Sequence, residues 1–347
     1  MVKNNIGEIF MNNTDDKIVL NEVPINSKEE LENKLKEISN QEQVYSIALF
    51  DILGFSNFVE NNGNEIVLEL YNKLLDLIDV QKTTFDKGAS LNASIVPVPV
   101  SDDLKSAILV ADANGYINAC HFSDTFIIYV NYNLSKHGYY LINGFNDPYP
   151  LLLGESEKIQ YPIFYQKHNI YLSFLQTCMD FFCQAILAGI PLRGCVSTGL
   201  ATMNFDKSIY VGSPLVEAAR GETARKSLGI SFGKSFNNSH PIYNKYFIPY
   251  FDDIKEEKSK FLSPMVLDWA RYWRETPGFK EYDVLKCIDK MNENPNFSEY
   301  YDNAKKFVLF SNEHKNWSKE INRKDIVNII DYYDRAKEWY DLVNQTQ

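Results

Sequence analysis

Asp51 closes the apolar run Val44 to Leu49 and Phe50, and the chain then turns at Gly54 into a segment that opens with Phe55 and Ser56 (FDILGFS, residues 50–56). A carboxylate at the end of a buried strand, followed by a glycine turn whose backbone N–H groups open a helix, sets a hard oxygen ligand beside an anion cradle. That pairing suits Mg²⁺ bound to a nucleoside triphosphate. The plainer alternative makes Asp51 a helix-initiating aspartate and Gly54 an ordinary turn residue. Ile117 to Asn131 (INACHFSDTFIIYVN) is strand-like on both sides of Asp124, the pattern of a β-hairpin with an acidic tip. Asp51 and Asp124 are therefore expected at the same end of adjacent strands. Two carboxylates there hold two divalent cations, which lower the pKa of a sugar hydroxyl, bind three phosphates and offset charge on leaving pyrophosphate. The alternative for Asp124 is a hairpin-turn aspartate. A third element, Tyr210 to Arg225 (YVGSPLVEAARGETAR), places a glycine before a helix and Arg220 inside it. A guanidinium so placed stabilises charge growing on an α-phosphate, unless it is a surface or Glu-paired arginine. Arg225 and Lys226 read as solvated helix face, and His121 as a strand residue rather than a ligand.

These residues need a scaffold, and the patterning supplies one. Val44 to Phe50 reads as a strand, and Ser56 to Asp79 as a helix with an apolar stripe of Ile66, Leu70, Leu74 and Leu77. Ala93 to Val100 is too proline-rich for a central strand, and residues 132–166 read as an insertion. Leu172 to Ala188 is apolar nearly all round, as a buried helix is. Pro191 to Ala201 reads as a central strand, Ser208 to Gly212 as a short one and Pro214 to Leu228 as a helix. Upstream, Ser27 to Ile38 is a capped lead-in helix. From Phe261 onward the chain is read as helical and aromatic, with Trp269, Trp273, Trp317 and Trp339 assigned to packing. This order predicts an α+β sandwich of ferredoxin-like arrangement. The expected divisions are 1–43 (helical lead-in), 44–260 (catalytic domain) and 261–347 (helical extension).

Forty-six acidic against 35 basic residues give a formal charge of −11, which argues against an electrostatic grip on nucleic acid or an anionic membrane. Any phosphate must be neutralised locally. The five cysteines show no C-x-x-C pair and read as reduced, buried thiols. No apolar segment approaches the roughly 20 residues that span a bilayer, so a cytoplasmic protein is expected.

FDILGFS, HFSDTF, LRGCVSTG and VGSPLVEAAR, in that order, resemble the catalytic domain of class III nucleotidyl cyclases over roughly residues 44–235. The resemblance implies that Asp51 and Asp124, with the Ile52 carbonyl, bind two Mg²⁺ or Mn²⁺ ions. It implies that the Leu53, Gly54, Phe55 and Ser56 backbone cradles phosphates and that Arg220 is the transition-state arginine. In this family the site forms across a head-to-tail homodimer, aspartates from one subunit and arginine from the other.

The departures are equally informative. The ribose-orienting asparagine of the family falls at Val216. The positions of the adenylyl cyclase base readers fall at Ile209 and Cys120, so neither the adenine nor the guanine pair is present. A site built to hydrogen-bond one base rejects another strongly, so these changes imply a different base. With the long insertion and the Phe261 to Trp273 segment, the chain resembles the bacterial pyrimidine cyclases of the Pycsar anti-phage system, which make cyclic UMP or cyclic CMP for a separate effector. UTP or CTP is then the substrate, and Phe50, Tyr210, Asn118 and Arg193 are candidates to fill the space a purine would occupy. The alternatives are an adenylyl or guanylyl cyclase with unusual base contacts, or a non-catalytic nucleotide-binding homologue. A diguanylate cyclase lacks support because the Asp124 turn has no Gly-Gly-Asp/Glu-Glu-Phe pattern.

Overall fold

The computed structural model describes residues 43–77, 117–131, 174–204, 207–235, 246–292, 295–317 and 329–345. The expected lead-in helix, the proline-rich stretch from Ala93 to Val100 and the 132–166 insertion lie outside the described residues.

Strand β1 (Gln43–Ile52) is followed by helices α1 (Phe55–Asn61) and α2 (64–77), then by the hairpin β2 (Ile117–Phe122) and β3 (Thr125–Asn131). Helix α3 (174–187) leads into the long β4 (Leu192–Asn204), which turns into β5 (Ile209–Gly212), α4 (Ser213–Glu222) and β6 (Gly229–Gly233). The chain returns through β7 (Phe247–Pro249) and β8 (Leu262–Leu267), then α5 (Trp269–Glu275), α6 (Val284–Met291), α7 (Ser298–Glu313) and α8 (Ile329–Gln345). The strands form one sheet in the order β2-β3-β1-β4-β6-β8-β7, with β5 paired to the far end of β4. Every pairing is antiparallel except β4 with β6. The result is a mixed α/β molecule around a mostly antiparallel sheet, as the α+β reading requires.

Alternation along β1 explains how one strand serves two cores. Ala48, Phe50 and Ile52, with Phe126, Ile128 and Val130 of β3, pack with Phe174, Cys178, Phe181 and Phe182 of α3. Tyr45, Ile47 and Leu49 point the other way and meet Ile127, Tyr129, Cys195 and Ala218 of α4. A strand buried on both sides reads as a continuous apolar run, which is why Val44 to Phe50 was legible without a clean alternation. Asp51 continues the second face and ends it.

Three expectations are corrected. The helix expected over Ser56 to Asp79 is two, because Asn62 adopts extended backbone (φ −126°, ψ 153°) and the Asn61 and Asn62 side chains donate to the Asn57 and Phe58 carbonyls, capping α1. Ile66 of the expected stripe is half exposed, whereas Leu74 is fully buried. Helix α4 stops at Glu222 instead of continuing to Leu228, because Arg225 leaves the helix to bridge Ile254 and to pair with Asp253. Residues 262–267 are not helical: they form β8 between β6 and β7, with Pro264 at a register irregularity where its missing N–H is tolerated.

From Trp269 onward the extension is helical as expected, and all four tryptophans are buried. Trp269 packs on Phe182 (ring centroids 5.1 Å apart), and the Trp317 indole donates to the Phe247 carbonyl at 2.7 Å. Among the described residues no helix is long and apolar enough to cross a membrane.

Candidate active site

Strand register brings the two aspartates together. Asp51 stands opposite Thr125 on β3 and opposite Arg193 on β4, so the three residues lie in one row across the sheet end. Asp124 occupies the tip of the β2–β3 hairpin, and its carbonyl accepts from the Ile52 N–H at 3.3 Å. The preceding Ser123 has φ +50°, the left-handed conformation that a tight hairpin imposes and that glycine takes more readily. Burial pushes the Asp51 carboxyl above its usual range; Arg193 opposes this, and Asp124 raises it further by its charge and a side-chain hydrogen bond. The adjacency foreseen from two distant aspartates is present.

The structure adds two groups. Arg193 Nη2 donates to Asp51 Oδ2 at 2.5 Å and stands 3.2 Å from Glu222 Oε2. Burial moves the Glu222 carboxyl up to about 7, Arg193 opposing and Asp51 contributing to the rise. Two carboxylates thus converge on one guanidinium, and Asp124 stands beside the first of them. Behind them, a cavity of about 20 Å³ lined by Arg193, Glu222, Arg225, Tyr250 and Asp253 has room for a single water. Arg193 Nε, Arg225 Nε and Glu222 Oε2 make no hydrogen bond among the described residues. Arg193 was weighed in the sequence only as a filler of base space, and Glu222 was not singled out. The cross-strand register and the early end of α4 that join them are tertiary facts with no local signature.

The turn after Asp51 is narrower as a cradle than expected. Gly54 has φ +78° and precedes α1. The Leu53 N–H donates to the Pro191 carbonyl at 2.9 Å, so the expectation that it faces a phosphate is corrected. The N–H groups of Gly54, Phe55 and Ser56 belong to the turn and the first helical residues, which have no acceptor within the helix.

Other expected residues divide. Phe50 is fully buried on the opposite face against Phe181 (5.1 Å), so its side chain does not fill a base pocket; a side chain that alternates away from Asp51 must enter the α3 core. Tyr210 lies on the Asp51 face, packed edge-on against Phe122 at 5.1 Å and hydrogen-bonded to Cys120. Burial raises the Cys120 thiol to about 11, so it is a neutral partner. His121 is a strand residue, stacked on Phe126. Arg225 is not solvated but buried in its pair with Asp253. Arg220 is exposed, its guanidinium 5.4 Å from the Phe261 ring centroid, and it forms no ion pair among the described residues. It does not converge on Asp51 of its own chain. Val216, one turn before it on α4, is half exposed, and Ile209, Val211, Leu200 and Phe122 are also more than two-fifths exposed.

The donor set fits a hard divalent cation in one specific form. Among the described residues no cluster of three or more His, Cys, Asp or Glu side chains is arranged to hold a metal. The adjoining Asp51 and Asp124 carboxylates next to a strand-end carbonyl suit Mg²⁺ or Mn²⁺, which commonly take one or two carboxylates and complete their shell with substrate phosphates and water. The chain matches no protein-family model and no curated protein in sequence.

Proposed function

We propose that the protein is a pyrimidine nucleotide cyclase, converting UTP or CTP to the 3′,5′-cyclic monophosphate and pyrophosphate, with the product acting as a second messenger in anti-phage defence. The observation that carries the reading is the Asp51–Asp124 pair at the end of two adjacent strands, beside the Gly54 turn. The strand order β4-β1-β3-β2, with helices between β1 and β2 and between β3 and β4, supports the reading, since it is compatible with the ferredoxin-like βαββαβ arrangement expected of a class III cyclase domain.

In this mechanism the ribose 3′-oxygen bonds to the α-phosphorus, its proton passes to solvent water, and the bond to the bridging oxygen breaks to release pyrophosphate. Bound Mg²⁺ or Mn²⁺ supplies acidification of the 3′-hydroxyl and neutralisation of the triphosphate. Asp51 and Asp124 would hold the ions, with Arg193 yielding or sharing Asp51 and keeping Glu222 as its second partner. Tyr210 with Phe122 and Cys120 forms a wall that offers a short hydrogen-bonding surface in place of the purine readers. Arg220 acts on the α-phosphate of a second copy's site, which is supported by its exposure and by its forming no ion pair among the described residues. The exposed Val216, one turn before Arg220 on α4, with the exposed Ile209 and Val211 of β5, would give the homodimer an apolar contact.

The test is incubation of the protein with all four NTPs and Mn²⁺, reading products by mass spectrometry beside an Asp51→Ala control. Cyclic UMP or cyclic CMP, absent from the control, is expected. A cyclic purine would overturn the base assignment, and bound nucleotide without product would favour the non-catalytic reading.

A further inference from the structure

The helical extension reaches the candidate site. The short 3₁₀ turn Pro295–Phe297 and the first residues of α7 bring two aromatic rings to the Asp51 end of the sheet. Phe297 lies so close to Gly54 that a Cβ built there would stand 2.8 Å from its Cε2. Tyr300, one turn further on, is 6.2 Å from Phe297 between ring centroids. Its face receives the Arg193 guanidinium at 6.0 Å and the Lys255 ammonium at 5.8 Å. Arg193 in turn holds Asp51 at 2.5 Å. The contacts close a circuit from Asp51 through Gly54, Phe297, Tyr300 and Arg193 back to Asp51. Two further bonds fix α7 in this place: Lys226 pairs with Glu299 at 3.1 Å, and Asn303 Nδ2 donates to the Lys226 carbonyl at 2.8 Å.

Arg193 faces a choice of partners. A divalent cation on Asp51 must compete with the guanidinium for the same carboxylate, and the competition is milder if the guanidinium has somewhere else to rest. An aromatic face is such a place, since its quadrupole attracts a cation without carrying a proton or a formal charge. Glu222 offers the other.

We propose that the first turn of α7 is part of the cyclase site: Tyr300 is a positioning residue that draws Arg193 away from Asp51 to admit the divalent cation, and Phe297 fixes the Gly54 turn. This rests on the cyclase reading above. It assigns the extension a role in the reaction beyond packing.

The test uses the full chain and two readouts, Mn²⁺ binding followed by electron paramagnetic resonance without nucleotide, and the Mn²⁺ dependence of UTP and CTP cyclisation. Tyr300→Leu removes the ring face, so half-saturating Mn²⁺ is expected to rise about fivefold in both readouts. Tyr300→Phe keeps the face and restores the wild-type value. A purely structural role would lower the melting temperature or the active fraction and leave the metal dependence unmoved, which would overturn the proposal. Should Tyr300→Leu not fold, Phe297→Leu decides: a several-fold higher KM for the nucleotide at unchanged Mn²⁺ half-saturation supports the proposal, and wild-type KM contradicts it. Failure of the underlying reading has a separate signature, because wild-type protein would then bind Mn²⁺ no better than Asp51→Ala.

Discussion

Two arginine–carboxylate clusters lie on either side of the end of α4, and they differ in charge balance. Arg225 and Asp253 form a one-to-one pair in the interior, and Arg225 Nη2 also donates to the Tyr250 carbonyl at 2.8 Å. At the sheet end, Arg193 is shared between Asp51 and Glu222, with Asp124 raising the proton affinity of Asp51 and with Lys258 and Lys255 acting on Glu222 from further off. A matched pair holds a fold together; an excess of desolvated carboxylates calls for a further cation. The residue types are the same, and what separates a structural pair from a candidate catalytic site is the count of charges around each guanidinium.

Breaking each cluster should therefore have opposite consequences. Asp51→Ala or Asp124→Ala is expected to reduce cyclisation by on the order of 100-fold or more, while urea denaturation shows stability unchanged or raised, because a repelling charge is removed. Asp253→Ala strands a buried guanidinium and should cost about 3–5 kcal/mol in the same urea experiment, with activity per folded molecule preserved.

Asp268 sharpens the contrast, since it is buried with no direct ion pair among the described residues, Arg274 and Arg271 acting on it only from a distance, and is held by hydrogen bonds from the Ser311 hydroxyl at 2.5 Å and the Arg271 N–H at 3.0 Å. Burial raises its carboxyl to about 6. The folded state then holds the proton more tightly than the unfolded chain, so this contribution is fully present below about pH 4 and is lost as pH rises through about 6. Stability measured across that window should fall in the wild type and fall less in Asp268→Asn. The smallest effect is expected at Ser123, whose φ of +50° favours glycine: Ser123→Gly should stabilise the hairpin by less than about 1 kcal/mol in thermal melts and leave the Asp124 carboxylate in place.

The same contrast explains what the sequence made legible. Asp51 and Asp124 stood out because each ends or interrupts a run of strand-forming residues, and period-two patterning carries that information locally. Helix α3 was readable because its apolar residues run nearly all round. Arg193 was assigned to the site only as a filler of base space, and Glu222 and Tyr300 not at all, because their contacts depend on cross-strand register, on where α4 ends, and on how the extension docks. The sequence also misled where local pattern is ambiguous: LSPMVL, at residues 262–267, is a short apolar run that serves equally as helix or strand, and only pairing with β6 and β7 decides it. Phe50 is next to Asp51 in the chain and on the other side of the sheet in space.

The central claim is that the Asp51–Asp124 pair of one chain works with Arg220 of a second, and mixing Asp51→Ala with Arg220→Ala protein tests it most directly. Each variant alone should form cyclic pyrimidine nucleotide on the order of 100-fold more slowly than wild type, or not at all. After subunit exchange the mixture should recover about a quarter of wild-type activity, because half of the symmetric dimers are mixed and each mixed dimer contains one intact site. No recovery from a mixture shown to exchange subunits would contradict the shared-site account.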